Sequence, residues 1–464
     1  MLKLPRRRLN QYRNSYYRPK KTNRKISLLW LGLAIPTSII MLELGARMFF
    51  GLSGKGDEVA GISPVNEAYR LKFLTENQQP IEGLPDDGNL VVKRSSSFGY
   101  QLLSNQKTPY WQINAQGFRD QAPLPLAKPK NEIRIFLLGG STAFGQGTPK
   151  NEETIAHHLE TMLQQRVANQ TKSPQTFRPD VFPFFKPDRE RLSKLAAKIR
   201  PGQYRVINAA VPGYSSGNEL AQLALEILPY QPDVIIVLDG YSDLILPSNR
   251  EKTDVPQLDD FLENASGHFQ TAFSSSLKQW LDKTYLVKSV NYLLFKPQPS
   301  IANDSLVLPV EGKSLVQHLP TNEQELNKRI KRYQDNQKQL ISLCAKLNIP
   351  VIIGIQPEIT GVPIERLSSQ ERTIREQLGT DYLTKMSKSY EKLAQGGQQL
   401  SKVYPNNVKV QNFYYLPSKF PSPVFIDAIH LTNQANKGMA QQLYYTLTNW
   451  EKMQIIPQFY YLKD

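Results

Sequence analysis

Ser141 and, nearly three hundred residues later, Asp427 and His430 have the types and surroundings that nucleophilic chemistry needs. Ser141 follows the apolar run 133–138 and the pair Gly139-Gly140, and precedes a stretch in which Ile155, Leu159, Leu163 and Val167 recur at four-residue spacing. A β-branched run ended by glycines predicts a buried strand entering a tight turn, and the repeat predicts a helix with one buried face. The turn delivers Ser141 to the carboxyl end of a strand. That is where open α/β sheets bind ligands and where a helix N-terminus favours developing negative charge. An ordinary β–α turn uses the same residue types.

A serine hydroxyl is a weak nucleophile near neutral pH, so it requires a base, a group that orients the base, and donors for the oxyanion. Asp427-Ala428-Ile429-His430 lies directly ahead of the last predicted helix. In a helical turn, positions three apart share a face, so Asp427 could hold the far nitrogen of His430 and stabilise its charged form. A surface Asp and His that never touch would give the same spacing. A rival nucleophile stands in Gly213-Tyr214-Ser215-Ser216-Gly217, which matches Gly-x-Ser-x-Gly between a strand and a helix. Against Ser215, Val211-Pro212 separates the strand from this turn, and Ser216 reads as a helix cap with Glu219. The glycines there can also serve as backbone donors.

The elements that must position these residues alternate along the chain. Strands are predicted at 133–138, 204–211, 233–240, 349–355 and 408–410. Helices are predicted after Ser216, from the Thr321-x-x-Gln324 box, and from Thr432 through Met439, Leu443, Leu447 and Trp450. Strands alternating with helices imply an α/β fold with a parallel, doubly wound sheet. Stretches 161–203, 251–320 and 361–404 interrupt the alternation; the first is Pro- and Lys-rich and reads as loop. The other two have some helix-like spacing and fall where substrate-shaping insertions would. Residues 51–130 read as a linker and an irregular lead-in containing Asn114-Ala115-Gln116-Gly117-Phe118-Arg119-Asp120.

With 464 residues, 40% hydrophobic and 21% charged, the chain has ordinary globular composition. Its net charge of +16 suggests nucleic acid until it is located: ten of the 57 Lys and Arg lie in residues 1–25, which hold no acid. This basic tail directly precedes seventeen uncharged residues, 26–42, an apolar run that continues to about residue 50 past Glu43 and Arg47. A topology signal before an uncleaved transmembrane anchor at 26–50 is the expectation, with Glu43 and Arg47 pairing at the interface. The tail is then cytoplasmic, the bulk of the chain extracytoplasmic, and nucleic acid is not an expected partner. Cys344, the only cysteine, excludes an internal disulfide and reads as a small core residue. No Cys/His cluster has metal-site spacing, so neither metal nor cofactor is expected.

Taken together, the ordered blocks resemble the SGNH (GDSL-type) hydrolase family in its membrane-anchored bacterial form. Gly139-Gly140-Ser141-Thr142 stands where the family has Gly-Asp-Ser, Asn208-Ala209-Ala210-Val211-Pro212-Gly213 matches its glycine block, and Asp427-Ala428-Ile429-His430 its Asp-x-x-His. The segment from Asn114 to Asp120 resembles the lead-in of the anchored members. The resemblance implies a three-layer, flavodoxin-like sheet over 131–452, with Ser141 as nucleophile, His430 as base and Asp427 as orienting group. It also implies an oxyanion hole from the Ser141 and Gly213 amides. Its asparagine donor would fall at Ser242, within Asp239-Gly240-Tyr241-Ser242-Asp243, and its aspartate at Gly140. The expected function is a serine esterase acting on an acyl ester of a lipid or acetylated glycan. An O-acyltransferase acting on an exported polysaccharide and a binding module on the same fold are the alternatives.

Overall fold

Five apolar runs become the parallel strands of one sheet in the structure, a computed structural model that describes residues 28–52, 64–81, 88–97, 99–250, 284 and 314–462. Two compact units divide the chain. The smaller contains helix α1 (Leu28–Leu52), in which Glu43 and Arg47 pair at 2.8 Å as expected from their spacing. No helix among the described residues is long and apolar enough to cross a membrane. The transmembrane span expected at 26–50 is thus not confirmed. Residues 1–25 and the start of the apolar run lie outside the described residues.

In the larger unit, the lead-in is more regular than its composition suggests. Strands β1 (Leu71–Leu74), β2 (Leu90–Ser95) and β3 (Gly99–Leu102) form a small sheet, and β4 (Gln106–Lys107) pairs with β5 (Gln112–Ile113). Tyr69, Val92, Tyr100 and Trp111 of this segment are buried in the same core as Ile135 and Leu137. The strands are too short and too mixed in polarity to show alternation in the sequence.

The central sheet contains β6 (Glu132–Gly139), β7 (Gln203–Asn208), β8 (Val234–Asp239), β9 (Val351–Ile355) and β10 (Val408–Asn412), in the order β10-β9-β8-β6-β7 with every pair parallel. Read from β7, this is the doubly wound 2-1-3-4-5 order. Because side chains alternate across a strand, Ile135 and Leu137 of β6 enter one core and Phe136 and Leu138 the other. Helices α2 (Ile155–Lys172) and, late in the chain, Asn433–Thr448 cover the first face. Two short helices, α3 (Lys186–Ser193) and α4 (Ser216–Gln222), follow α2. Helices α5 (Glu323–Lys346) and α6 (Ser369–Leu400) cover the second face; the helix Asn433–Thr448 is α7 and Gln458–Leu462 is α8. The layers are helix, sheet, helix.

The interruptions resolve differently from their sequence reading. Helix α2 continues to Lys172, so much of 161–203 is helical and not loop. The third stretch contains α6, whose Tyr382, Met386, Tyr390 and Leu393 are buried against the sheet, so it is a structural layer and not a substrate-shaping insertion. Gly379, at φ 77°, breaks the helical pattern. Of the second, residues 251–283 and 285–313 lie outside the described residues. Cys344 is fully buried on α5, as its spacing predicts.

Two caps shift by one position: α5 starts from Asn322, not Thr321, and α4 is capped by Ser215, not Ser216. Ser215 and Asn218 form the box, with the Ser215 hydroxyl 2.9 Å from Asn218 Oδ1. We expect Ser215→Ala to lower the free energy of unfolding by about 1 kcal/mol, read from denaturant midpoints at constant slope.

Candidate active site

Strand β6 ends at Gly139, whose φ of +147° and position leave no room for a side chain: a Cβ there would stand 2.2 Å from the carbonyl oxygen of Leu238 on β8. This close approach brings the chain over the end of β8, and Ser141 opens a one-turn helix, Ser141–Phe144. Ser141 is 7% exposed. Its carbonyl accepts from the amides of Gly145 and Gln146, which closes the turn behind it.

Asp427 and His430 are brought together, although not by a helix. They lie in a loop closed by the antiparallel bridge between Phe425 and Leu431. Asp427 Oδ1 accepts from the amides of Ile429 and His430, and Oδ2 lies 2.5 Å from His430 Nδ1. The carboxylate is thereby fixed by the loop backbone before it meets the imidazole. Both side chains are buried, at 2% and 0% exposure.

The serine turn and the histidine loop meet at their neighbouring residues. Thr142 Oγ1 donates to the carbonyl of Ile429 at 3.2 Å and accepts from Gln356 Nε2 at 2.9 Å. Gln356 follows β9 and donates its amide to the Asp239 carbonyl at the end of β8. One residue beyond Glu358, the Ile359 amide donates to the carbonyl of Ala428. The histidine loop is thus bonded to the ends of both β6 and β9.

On the other side of Ser141 lie the segments expected to bind an oxyanion. Gly213 adopts φ +85° after β7, and Gly240 φ +113° after β8. A Cβ on Gly140 would lie 3.3 Å from Ser242 Oγ and 3.3 Å from the Tyr214 carbonyl, so these two segments flank the residue before Ser141. They are also bonded to each other, since Asp243 accepts from the Ser216 amide at 2.9 Å and its hydroxyl at 2.6 Å. The rival Ser215 has its hydroxyl engaged in the α4 cap. Among the described residues, no group of His, Cys, Asp or Glu is arranged to hold a metal ion.

Sequence reasoning did not single out several supporting residues. Arg119, buried in the Gly-Phe-Arg-Asp lead-in, donates to the carbonyls of Phe144 and Gly145 at 2.9 and 2.8 Å, to the Tyr69 hydroxyl at 2.8 Å and to Asn151 Oδ1 at 3.0 Å. It ties the lead-in sheet to the back of the serine turn. Asn208, in the glycine block, donates to the Phe144 carbonyl from β7. Beneath the rim, Asp239 accepts from Tyr333 and Gln337 at 3.1 and 2.7 Å. Glu219 is fully buried beside it; burial and the Asp239 carboxylate raise its pKa well above the usual range.

No family model and no curated protein matches the chain. Among solved structures it is similar to the acetyl xylan esterase AlAXEase, at 10% identity over 68% of this chain and 100% of that one, with a TM-score of 0.32. It is also similar to the esterase EstA from Pseudoalteromonas sp., at 12% identity over 68% and 97%, with a TM-score of 0.32. A third is the lipase/acylhydrolase from Enterococcus faecalis, at 12% identity over 68% and 95%, with a TM-score of 0.31. At this level the likenesses decide nothing about chemistry, which rests on the geometry above.

Glu358 supplies a pH dependence. Its carboxylate accepts from Tyr382 at 3.2 Å and from the Thr360 amide at 2.8 Å, and burial raises its pKa from 4.5 to about 7. The folded chain then holds the proton more tightly than the unfolded one. The resulting stability is full below the unfolded pKa of 4.5 and is lost as pH rises through about 7, an effect of roughly 3 kcal/mol. Asp239, raised to about 7 chiefly by burial, acts in the same direction. Between about pH 4.5 and about pH 8, Glu358→Gln should therefore lose roughly 3 kcal/mol less unfolding free energy than the parent chain, measured by denaturant titration at each pH.

Proposed function

We propose that the chain is a serine hydrolase of the SGNH type, acting on an acyl ester. The observation that carries this reading is the Thr142 to Ile429 hydrogen bond, which joins the turn bearing Ser141 to the loop in which Asp427 already holds His430. Ser141 attacks the ester carbonyl and His430 takes its proton. Asp427 keeps the imidazole's other nitrogen protonated and stabilises the imidazolium that forms. The amides of Ser141 and Gly213, with the Ser242 hydroxyl, donate to the oxyanion. The alcohol leaves with the proton returned by His430, and water then repeats the sequence on the acyl-enzyme. Low exposure of Ser141 and His430 supports this chemistry, because hydrogen bonds to a developing charge are worth more where water is excluded.

The N-terminal basic tail and apolar run, read with the interface-type pair Glu43–Arg47, support an anchored protein with its tail in the cytoplasm and its hydrolase domain on the other side. Carbonate extraction of membranes from the source cells tests the anchor: the full chain should stay in the pellet, and release into the supernatant would refute it.

The assignment of roles is tested by labelling with a fluorophosphonate. Ser141→Ala should abolish labelling and lower kcat/KM by about 10³-fold or more, whereas Ser215→Ala should label like the parent. Labelling that survives Ser141→Ala sinks the assignment. Thr142→Val keeps the shape and removes both hydrogen bonds; it should lower kcat by about 10- to 100-fold with little change in KM, since misplacing reacting groups by an ångström has costs of that order.

A further inference from the structure

We infer that the pole of the domain opposite Ser141 is a docking surface for an anionic phospholipid bilayer. Helices that follow parallel strands return antiparallel to them, so α2 and α7, which start near Ser141 and His430, end where the strands begin. The segments after them meet there: Ile199 bridges Gln454, and the Ile455 amide donates to the Lys198 carbonyl at 2.9 Å. From this pole project Val181, Phe184 and Phe185, at 77%, 89% and 66% exposure, beside Phe459 and Tyr460 of α8, at 45% and 48%.

These side chains are presented by an ordered base. Tyr461 is buried, its hydroxyl donates to the Pro179 carbonyl at 3.2 Å, and its ring lies 5.4 Å from that of Phe182. The Phe184 and Phe185 rings pack edge to face at 5.5 Å, outside the core. Several neighbouring large apolar side chains left in water mark an interaction surface.

Charge selects the partner. Residues 178–200 hold seven Lys and Arg against three acids; Arg178 is buried and Arg191 and Lys198 pair with Asp188 and Asp180, and the segment that carries the aromatic tips is net positive. Protruding aromatic rings bordered by Lys and Arg match the headgroup region of an anionic bilayer, where rings lodge at the interface and cations meet lipid phosphates. Tips that stand out from the surface are shaped to enter a soft interface; they do not form a groove for a peptide. If the catalytic reading also holds, docking by this pole turns Ser141 away from the lipid. The substrate class is then an acyl ester carried on a water-borne polymer such as a glycan, and not a lipid of the bilayer itself.

The test uses the full chain reconstituted with vesicles of phosphatidylcholine, with or without phosphatidylglycerol. Cys344 is buried, so a single environment-sensitive fluorophore can be placed at Phe184→Cys or, on the exposed surface of α5 near the catalytic rim, at Lys328→Cys. With phosphatidylglycerol present, spin-labelled lipid should quench the probe at 184 several-fold more than the probe at 328. Adding Phe185→Ser and Phe459→Ser, or high salt, should remove the difference. Equal quenching at both positions, quenching at 184 that ignores phosphatidylglycerol, or a water-like probe at 184 in every vesicle would overturn the proposal. Fluorophosphonate labelling of Ser141 is read in parallel, so failure of the lipid surface and failure of the hydrolase reading remain distinguishable.

Discussion

The hydroxyl of Thr142 is where the ends of three strands and the histidine loop meet. A hydroxyl has one proton, and because Thr142 Oγ1 accepts from Gln356 Nε2, its own proton is left to donate to the Ile429 carbonyl. Gln356 is held in turn by its amide on the Asp239 carbonyl, so β6, β8 and β9 contribute to one geometry. Each bond contributes only about 1 kcal/mol to stability. Its weight lies in position, since the two residues joined, Thr142 and Ile429, are the immediate neighbours of Ser141 and His430.

Below that junction the core contains more polar chemistry than an apolar sheet needs. Glu219, Asp239 and Asp243 lie under the segments that flank Gly140, and Glu358 with Tyr382 and Tyr241 lies under the histidine loop. Ionised carboxylates without partners would be very costly there. Burial and the neighbouring Asp239 carboxylate push the Glu219 pKa well up, and Asp243 accepts two bonds from Ser216. The bonds that Asp239 and Asp243 accept tie the segments above them to the helices beneath. Asp243 links the Ser242 segment to the helix that follows Gly213, so both proposed oxyanion segments are bonded to each other.

Much of this architecture was legible because parallel strands are buried on both faces and read as continuous apolar runs, as residues 234–239 do. The Asp427–His430 pair was legible as a spacing, but for the wrong local reason: a bridged loop, not a helical turn, brings the two side chains together. Caps slipped by one position where two competent residues are adjacent, Ser215 with Ser216 and Thr321 with Asn322, and only packing chooses between them. Helix α6 was obscured because its buried positions include polar residues and two tyrosines, Tyr382 and Tyr390, and because Gly379 interrupts its period. Arg119, Gln356 and Glu358 were illegible in a stronger sense. Their partners lie far along the chain, and no local pattern reports a long-range hydrogen bond.

The two departures from the family pattern become one when seen in three dimensions. The resemblance places an aspartate at 140 and an asparagine at 242, where this chain has Gly140 and Ser242. A Cβ at 140 would stand 3.3 Å from Ser242 Oγ, close enough that the serine would have to give by a few tenths of an ångström, so the two positions face each other. A serine hydroxyl reaches less far than a carboxamide and must approach more closely to donate to the same point. Bare backbone at 140 permits that approach, because glycine adds no side chain between the serine and the turn. Glycine at 140 and serine at 242 are therefore mutually compatible, and an aspartate at 140 alone would crowd the Ser242 hydroxyl.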